Sequence, residues 1–218
     1  MSKEKILEAA TQLFREKGYT STRVEDLCAA AKLTKGGFFH HFASKEAMAV
    51  AAVDRWTAVT GEFFAGAPYQ QIADPLERVL AYVDFRKSML DGPLPEITCL
   101  AGTLVQEIYD SSPAIRAACE RSIRQHVATV AQDLAEAKRL YAPSALWAPE
   151  SVALHTHVVI QGGFVLAKTT GSTDVAAQSL DHLRHYLTSL FVQPSQQEVH
   201  HAVPEGRNRR ARKRQSPR

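Results

Sequence analysis

Apolar residues return at three- and four-residue intervals along almost the whole chain, and that period restricts the fold more than any composition does. Ile6, Ala9, Ala10, Leu13 and Phe14 share one face of a first helix, expected from about Lys3 to Lys17 and stopped by Gly18, a residue suited to a C-terminal cap. Val24, Leu27, Cys28 and Ala31 give a second, short face, with Glu25 and Asp26 in its first turn, where the positive end of the helix dipole favours acids. Lys32-Leu33-Thr34 breaks the pattern. Thr34 then suits the N-cap of a third short helix holding Phe38 and Phe42 on one side. After Ser44, half of a capping box, the stripe Met48, Ala52, Trp56, Val59, Phe63 predicts a long fourth helix from about Lys45 to Ala65. Asp74-Pro75, Gly92-Pro93, Ser112-Pro113, Ala148-Pro149 and Gly171-Ser172 then bound helices near 74–90, 95–110, 113–141, 149–170 and 173–192. No strand alternation or hairpin dipeptide competes with them. The expectation is an all-α fold of about nine helices.

With 45% apolar and 22% charged residues over 218 positions, the chain can bury a core and is neither a repeat array nor wholly disordered. Cys28, Cys99 and Cys119 are odd in number and widely spaced, which excludes a disulfide framework and a cysteine zinc site. The start lacks the apolar core of a signal peptide. The most apolar long window, 152–167, is interrupted by His155, His157 and Gln161 and falls short of a membrane span. A cytoplasmic protein without a membrane segment is expected. The net charge of +3 is unevenly placed: residues 193–218 hold seven Lys/Arg against Glu198 and Glu205, so a basic tail sits on a slightly acidic body. That tail, poor in apolar residues, is expected to be disordered. Its role is read equally as added electrostatic affinity for DNA or as none.

The segment with chemical content is Gly18 to Glu46. Two short helices across a three-residue break form a helix-turn-helix, and the second contains Gly36-Gly37. Each glycine costs a helix roughly 1 kcal/mol relative to alanine, so something other than helix stability accounts for them. Glycines at the start of a recognition helix let its backbone approach the major groove, and Lys35, His40, His41 and Lys45 surround that end with donors and positive charge.

Residues 3 to about 55 resemble the DNA-binding domain of the TetR/AcrR family of bacterial one-component transcriptional repressors. The resemblance is carried by Ala9-Ala10, Leu13-Phe14, Gly18, Thr22, Val24, Asp26, Leu27, Ala31, Lys35-Gly36, the aromatic pair followed by His41-Phe42, and Lys45-Glu46. Two positions depart from the family pattern. Lys32 stands where the turn usually holds glycine, so it must take a left-handed conformation costing about 1–2 kcal/mol or the turn must change. Phe39 stands where tyrosine is common, and can offer only apolar contact.

The resemblance implies a domain division of 1–48 for DNA binding and 49–192 for ligand binding and dimerisation, followed by the tail 193–218. It implies double-stranded operator DNA as partner, with Lys35, Gly36, Gly37, Phe39 and His40 facing the groove and Thr22, Arg23, His41 and Lys45 contacting the backbone. It further implies a homodimer through the last two long helices, for which Val152, Val159, Phe164, Leu180, Leu183, Leu187 and Leu190 supply apolar surface. A small-molecule inducer, unidentified, is expected among Trp56, Phe63, Phe64, Tyr82, Phe85, Cys99, Thr103, Glu107, His126, Trp147, His155 and Gln161. Core packing is the better reading of any one of these taken alone. Cys99, at the start of a helix, also admits a reading as an oxidant- or electrophile-responsive thiol. His155-x-His157 diverges on a helix and His182-x-x-His185 lacks a third ligand, so no metal and no cofactor are expected. No nucleophile elbow, phosphate loop or HExxH is present, which leaves an enzyme as the weak alternative. A helical adaptor that has lost operator binding is the other alternative, suggested only by Lys32 and Phe39.

Overall fold

The computed structural model describes residues 2–192, so the expected disordered tail lies outside the described residues. They form ten α-helices and one short 3-10 turn, with no strand among them. Helix α1 (Ser2–Lys17) ends at Gly18, whose φ of +84° and N–H bond to the Phe14 carbonyl make the expected cap. Helices α2 (Val24–Ala31) and α3 (Lys35–His41) follow, then α4 (Lys45–Ala65). Thr34 accepts from the Gly37 N–H at 3.1 Å and Ser44 from the Ala47 N–H at 3.0 Å, so both expected N-caps form. Between α2 and α3, Lys32 is the one non-glycine residue at positive φ among those described (φ 55°, ψ 49°). The turn keeps its left-handed geometry and lysine bears the cost.

After the 3-10 turn at Pro68–Gln71 come α5 (Pro75–Ser88), α6 (Leu94–Ile97), α7 (Leu100–Ile108), α8 (Pro113–Tyr141), α9 (Pro149–Thr170) and α10 (Asp174–Ser189). Asp74 accepts from the Leu76 and Glu77 N–H groups, each at 2.9 Å, and Ser112 accepts from Ile115 N–H. The tenth helix arises because the single helix expected over 95–110 is two. Thr98 is extended and buried, and Arg15 donates to the Glu96 carbonyl at 2.8 Å and the Thr98 carbonyl at 3.4 Å. A guanidinium from α1 thereby satisfies carbonyls that would otherwise carry a helix onward. Cys99 restarts the chain as N-cap of α7, its Sγ accepting from Gly102 N–H.

Two apolar clusters form the core. One joins α1, α2, α3 and the first half of α4 to Leu100, Leu104, Ile108, Ile115 and Cys119 of α7 and α8; the other lies among α5, α8, α9 and α10. Helix α9 lies between α8 and α10, and α5 packs on both α8 and α10. This arrangement corrects the expected partner surface. Val152, Phe164, Leu180, Leu183 and Leu187 are buried within the chain, while Val159 and Leu190 are half-buried. The apolar residues that face outward are Leu154, Val158, Val165 and Leu166 on α9 and Tyr186 on α10. Helix α9 is apolar nearly all round, and the face that matches α8 and α10 is the one taken into the core. Among the described residues no helix is long and apolar enough to cross a membrane.

Candidate nucleic-acid interface and effector cavity

Helix α3 is held by one side and offers the other. Phe38 is fully buried and packs against Phe42 at 5.8 Å between ring centroids, and the helix is seated on α1 and α2. Lys35, Gly36, Phe39 and His40 recur at i, i+1, i+4 and i+5 and are exposed together. Gly37 is half-buried beside its cap, and His41 is half-buried with its ring 5.0 Å from that of His40. A Cβ added at Gly36 would find only Thr34 Oγ1 at 3.9 Å; at Gly37 it would find Thr34 Oγ1 at 3.5 Å and Leu33 Cβ at 3.9 Å. Neither glycine has positive φ. The fold would accept a side chain at both positions.

The charged groups are partly engaged already. Lys35 Nζ donates to Glu25 at 2.8 Å, a hydrogen bond that raises the lysine's pKa and lowers that of the carboxyl. Both partners are exposed, so the pair is worth little and can be exchanged for a phosphate. Arg23 precedes α2, with Asp26 accepting from its main-chain N–H at 2.8 Å, and its side chain is largely in solvent. Two expected backbone contacts are turned inward. Thr22 is fully buried and its hydroxyl donates to the Gly18 carbonyl at 2.7 Å, so it closes the α1–α2 turn and has no surface to give to DNA. Lys45 Nζ donates to the Tyr19 carbonyl at 2.6 Å and lies 4.0 Å from the centre of the Tyr19 ring, with its pKa lowered by burial. Sequence reasoning missed Glu25 and Tyr19, because pairs ten and twenty-six positions apart leave no local signal.

Within residues 49–192 three adjoining cavities share walls. One of about 380 Å³ lies between α4, α5 and α8 against Thr57, Thr60, Phe64, Tyr69, Tyr82 and His126. A central one of about 90 Å³ is walled by Trp56, Phe63, Phe64, Arg86, Cys99, His126, His157, Gln161 and Phe164. The third, about 420 Å³, opens between α7 and α9 against Cys99, Thr103, Glu107, Gln161 and Lys168. Nine of the twelve expected pocket residues line these spaces. Phe85, Trp147 and His155 do not. Phe85 backs Phe63 and Phe64 from outside, Trp147 meets Phe191 edge to face at 5.4 Å between ring centroids, and His155 is exposed against Tyr186.

Tyr82 Oη lies 2.8 Å from His126 Nε2, and burial, reinforced by Arg86 and His157, pushes His126 down to about 3. Burial and then Arg86 push His157 down to about 4. Both imidazoles are therefore neutral near pH 7. Arg86 and His157 were the residues missed here: an arginine on a helix reads as surface, and His157 reads as one of a diverging pair. Glu107 has a second attachment, since its carboxylate accepts from the Tyr19 N–H at 2.6 Å and the Thr20 N–H at 2.8 Å. Its partial burial raises its pKa, but these bonds and the nearby Lys45 outweigh that and hold it low.

Comparison with known proteins accounts for both halves. Residues 6–52 match the family model for bacterial regulatory proteins of the tetR family, and residues 75–183 match that for a tetracyclin repressor-like C-terminal domain. The chain is 24% identical over 188 residues to the HTH-type transcriptional repressor NemR of Escherichia coli, covering 86% of this chain and 94% of that one. It is 29% identical over 125 residues to the HTH-type transcriptional repressor DhaR of a Mycobacterium species, covering 57% of this chain and 61% of that protein. The crystal structure of reduced E. coli NemR superposes with a TM-score of 0.75 at 24% identity, over 89% of this chain and all of that one. A TetR transcriptional regulator from Chloroflexus aurantiacus gives 0.75 at 25% identity, over 86% and 94%. The chain belongs to the TetR family, ligand-responsive transcriptional regulators that bind operator DNA.

Proposed function

We propose that the chain is a cytoplasmic repressor that binds a palindromic operator as a homodimer and leaves it when a small molecule fills the cavities of residues 49–192. The reading head is the unit 1–48. Lys35, Gly36, Gly37, Phe39 and His40 face the groove, and Arg23 and His41 approach the backbone. The observation that carries this reading is the pair of open glycines: they weaken a seven-residue helix, no neighbour among the described residues needs them, and close approach to a duplex does. NemR and DhaR are both named transcriptional repressors, which supports repression over activation.

The exposed face of Leu154, Val158, Val165, Leu166 and Tyr186 supports a second copy packed on α9 and α10, since so much aligned apolar surface is unusual in a monomer. A two-fold protein would then read half-sites about one helical turn, roughly 34–36 Å, apart. The test is fluorescence anisotropy on DNA from upstream of the protein's own gene, alongside sedimentation. A dimer that protects two symmetric half-sites supports the reading. Val158→Glu should give a monomer with much weaker operator binding. A monomer that binds a single asymmetric site with full affinity would refute it.

A further inference from the structure

Among the described residues Arg86 is the one lysine or arginine that lines the central cavity. It is half-buried on α5, its guanidinium carbon 5.2 Å from the centre of the Phe64 ring and 5.6 Å from that of Phe164. Among the described residues no carboxylate forms an ion pair with it and no acceptor takes a hydrogen bond from it. On the same helix, by contrast, Arg78 is met by both Asp133 and Glu136. A guanidinium whose faces are covered by rings and whose N–H edges are unspent is poised for a planar anion.

A second donor lies in the same wall. His157 Nε2 is 3.2 Å from Gln161 Nε2, and His157 Nδ1 is buried without a partner. An amide nitrogen only donates, so Nε2 is the acceptor and Nδ1 carries the proton, an unspent N–H. The Gln161 amide lies with its nitrogen toward His157 and its oxygen over Gly102. The carboxylate in this wall, Glu96, neighbours Arg15, which donates to the Glu96 main-chain carbonyl at 2.8 Å. Around these groups stand the rings of Trp56, Phe63, Phe64 and Phe164, beside the hydroxyl-bearing Thr60, Thr98 and Ser122.

We infer that the effector is an organic anion, a carboxylate carried on a flat apolar body, with Arg86 as its counterion and His157 Nδ1–H as a second donor. This rests on the reading of these cavities as the effector site. The central space of about 90 Å³ is smaller than the roughly 150 Å³ that takes a benzene ring, so the carboxylate sits there and the body extends along Phe64 and His126 into the 380 Å³ cavity. With both imidazoles neutral and Glu96 beside Arg15, Arg86 is the positive charge in this wall that a ligand meets.

The test compares benzoate and 3-phenylpropionate with their neutral amides, benzamide and 3-phenylpropanamide, by calorimetric titration of the full-length protein. At least one acid should bind at millimolar concentration or below, about ten- to a hundredfold more tightly than its amide. Arg86→Gln should abolish that preference, and Arg86→Lys should restore part of it. The wild-type comparison stands even if a variant folds poorly. Acids and amides binding alike, no acid binding at millimolar concentration, or an Arg86→Gln protein that keeps the preference would each overturn the inference. Operator binding separates the two readings. Acids that bind through Arg86 without altering DNA affinity leave the anion site standing and remove the effector role; acids that release DNA with Arg86→Gln unaffected do the reverse.

Discussion

Replacing Gly36 and Gly37 by alanine should move stability and DNA binding in opposite directions. Both lie in the first turn of α3, at the second and third helical positions, with φ in the ordinary negative range. The nearest atoms to an added Cβ are at 3.9 Å and 3.5 Å, ordinary van der Waals contact, so no clash offsets the gain in helix propensity. At about 0.5–1 kcal/mol per site, the double variant should be more stable by about 1–2 kcal/mol. For a chain of this size each kcal/mol raises Tm by about 2–4 °C, which differential scanning calorimetry resolves. Operator affinity should fall at least about tenfold, the loss of roughly 1.4 kcal/mol, because each methyl holds the backbone off the base edges. The same variants measured by anisotropy on one operator give both readouts. Unchanged operator affinity, whatever the melting temperature, would refute the assignment of these glycines to the groove. A lower melting temperature would refute the reading that the fold has room for them.

Lys32→Gly should raise stability by about 0.5–1 kcal/mol, since the left-handed cost to lysine of about 1–2 kcal/mol is only partly offset by the freedom glycine gains when unfolded; chemical denaturation checks it. Arg78→Ala should cost about 2–4 kcal/mol by leaving Asp133 in a largely buried site, while Arg78→Met with Asp133→Leu should recover most of it in the same assay. His126 and His157 should make stability depend on pH. Their folded pKa values lie below the ordinary 6.5, so the unfolded chain binds protons first. Stability is thus whole above about pH 6.5 and falls as pH drops toward 4, by up to about 1.4 kcal/mol per pH unit for each imidazole. Denaturation curves between about pH 7 and pH 5 should show that slope in the wild type and lose most of it in the His126→Gln/His157→Gln variant.

How much of this was legible follows from the range of the interactions involved. Caps are local: Thr34, Ser44, Asp74, Ser112 and Gly18 each act within four residues, and each forms as the residue types predict. At Lys32 the family resemblance left two outcomes open, a left-handed lysine or a changed turn, and the structure has the first. The direction of an apolar face was not legible. Helix α9 carries apolar residues on several sides, and whether Phe164 or Val165 turns inward depends on where α8 and α10 lie. Thr22 and Lys45 have partners within the chain that the local sequence did not announce. Polar residues next to a reading helix suggest contact with DNA, yet a carbonyl left open at the end of α1 and another at Tyr19 claim them first.

The fastening of the reading head to the sensing half is the part that no local pattern could disclose, and it bears directly on how a ligand is felt. Glu107 closes the Tyr19 and Thr20 amides and occupies the space a side chain at Gly18 would need, where a Cβ would lie 2.7 Å from its Oε2. Arg15 reaches the Glu96 and Thr98 carbonyls, and Ser112 Oγ donates to Glu46. These attachments on the sensing side fall between residues 96 and 112, the span that also contributes Thr98, Cys99, Thr103 and Glu107 to the cavity walls. Helix α7 is nine residues long, starts after the extended residues Thr98 and Cys99, and packs on both α1 and α8. A ligand that fits better with α7 displaced must either break the Glu107 cap or carry the α1–α2 turn along, and α3 packs against both helices of that turn. A ligand that bound the displaced arrangement more tightly would lower operator affinity by that ratio, and the three hydrogen-bonded links are where the two halves would be coupled.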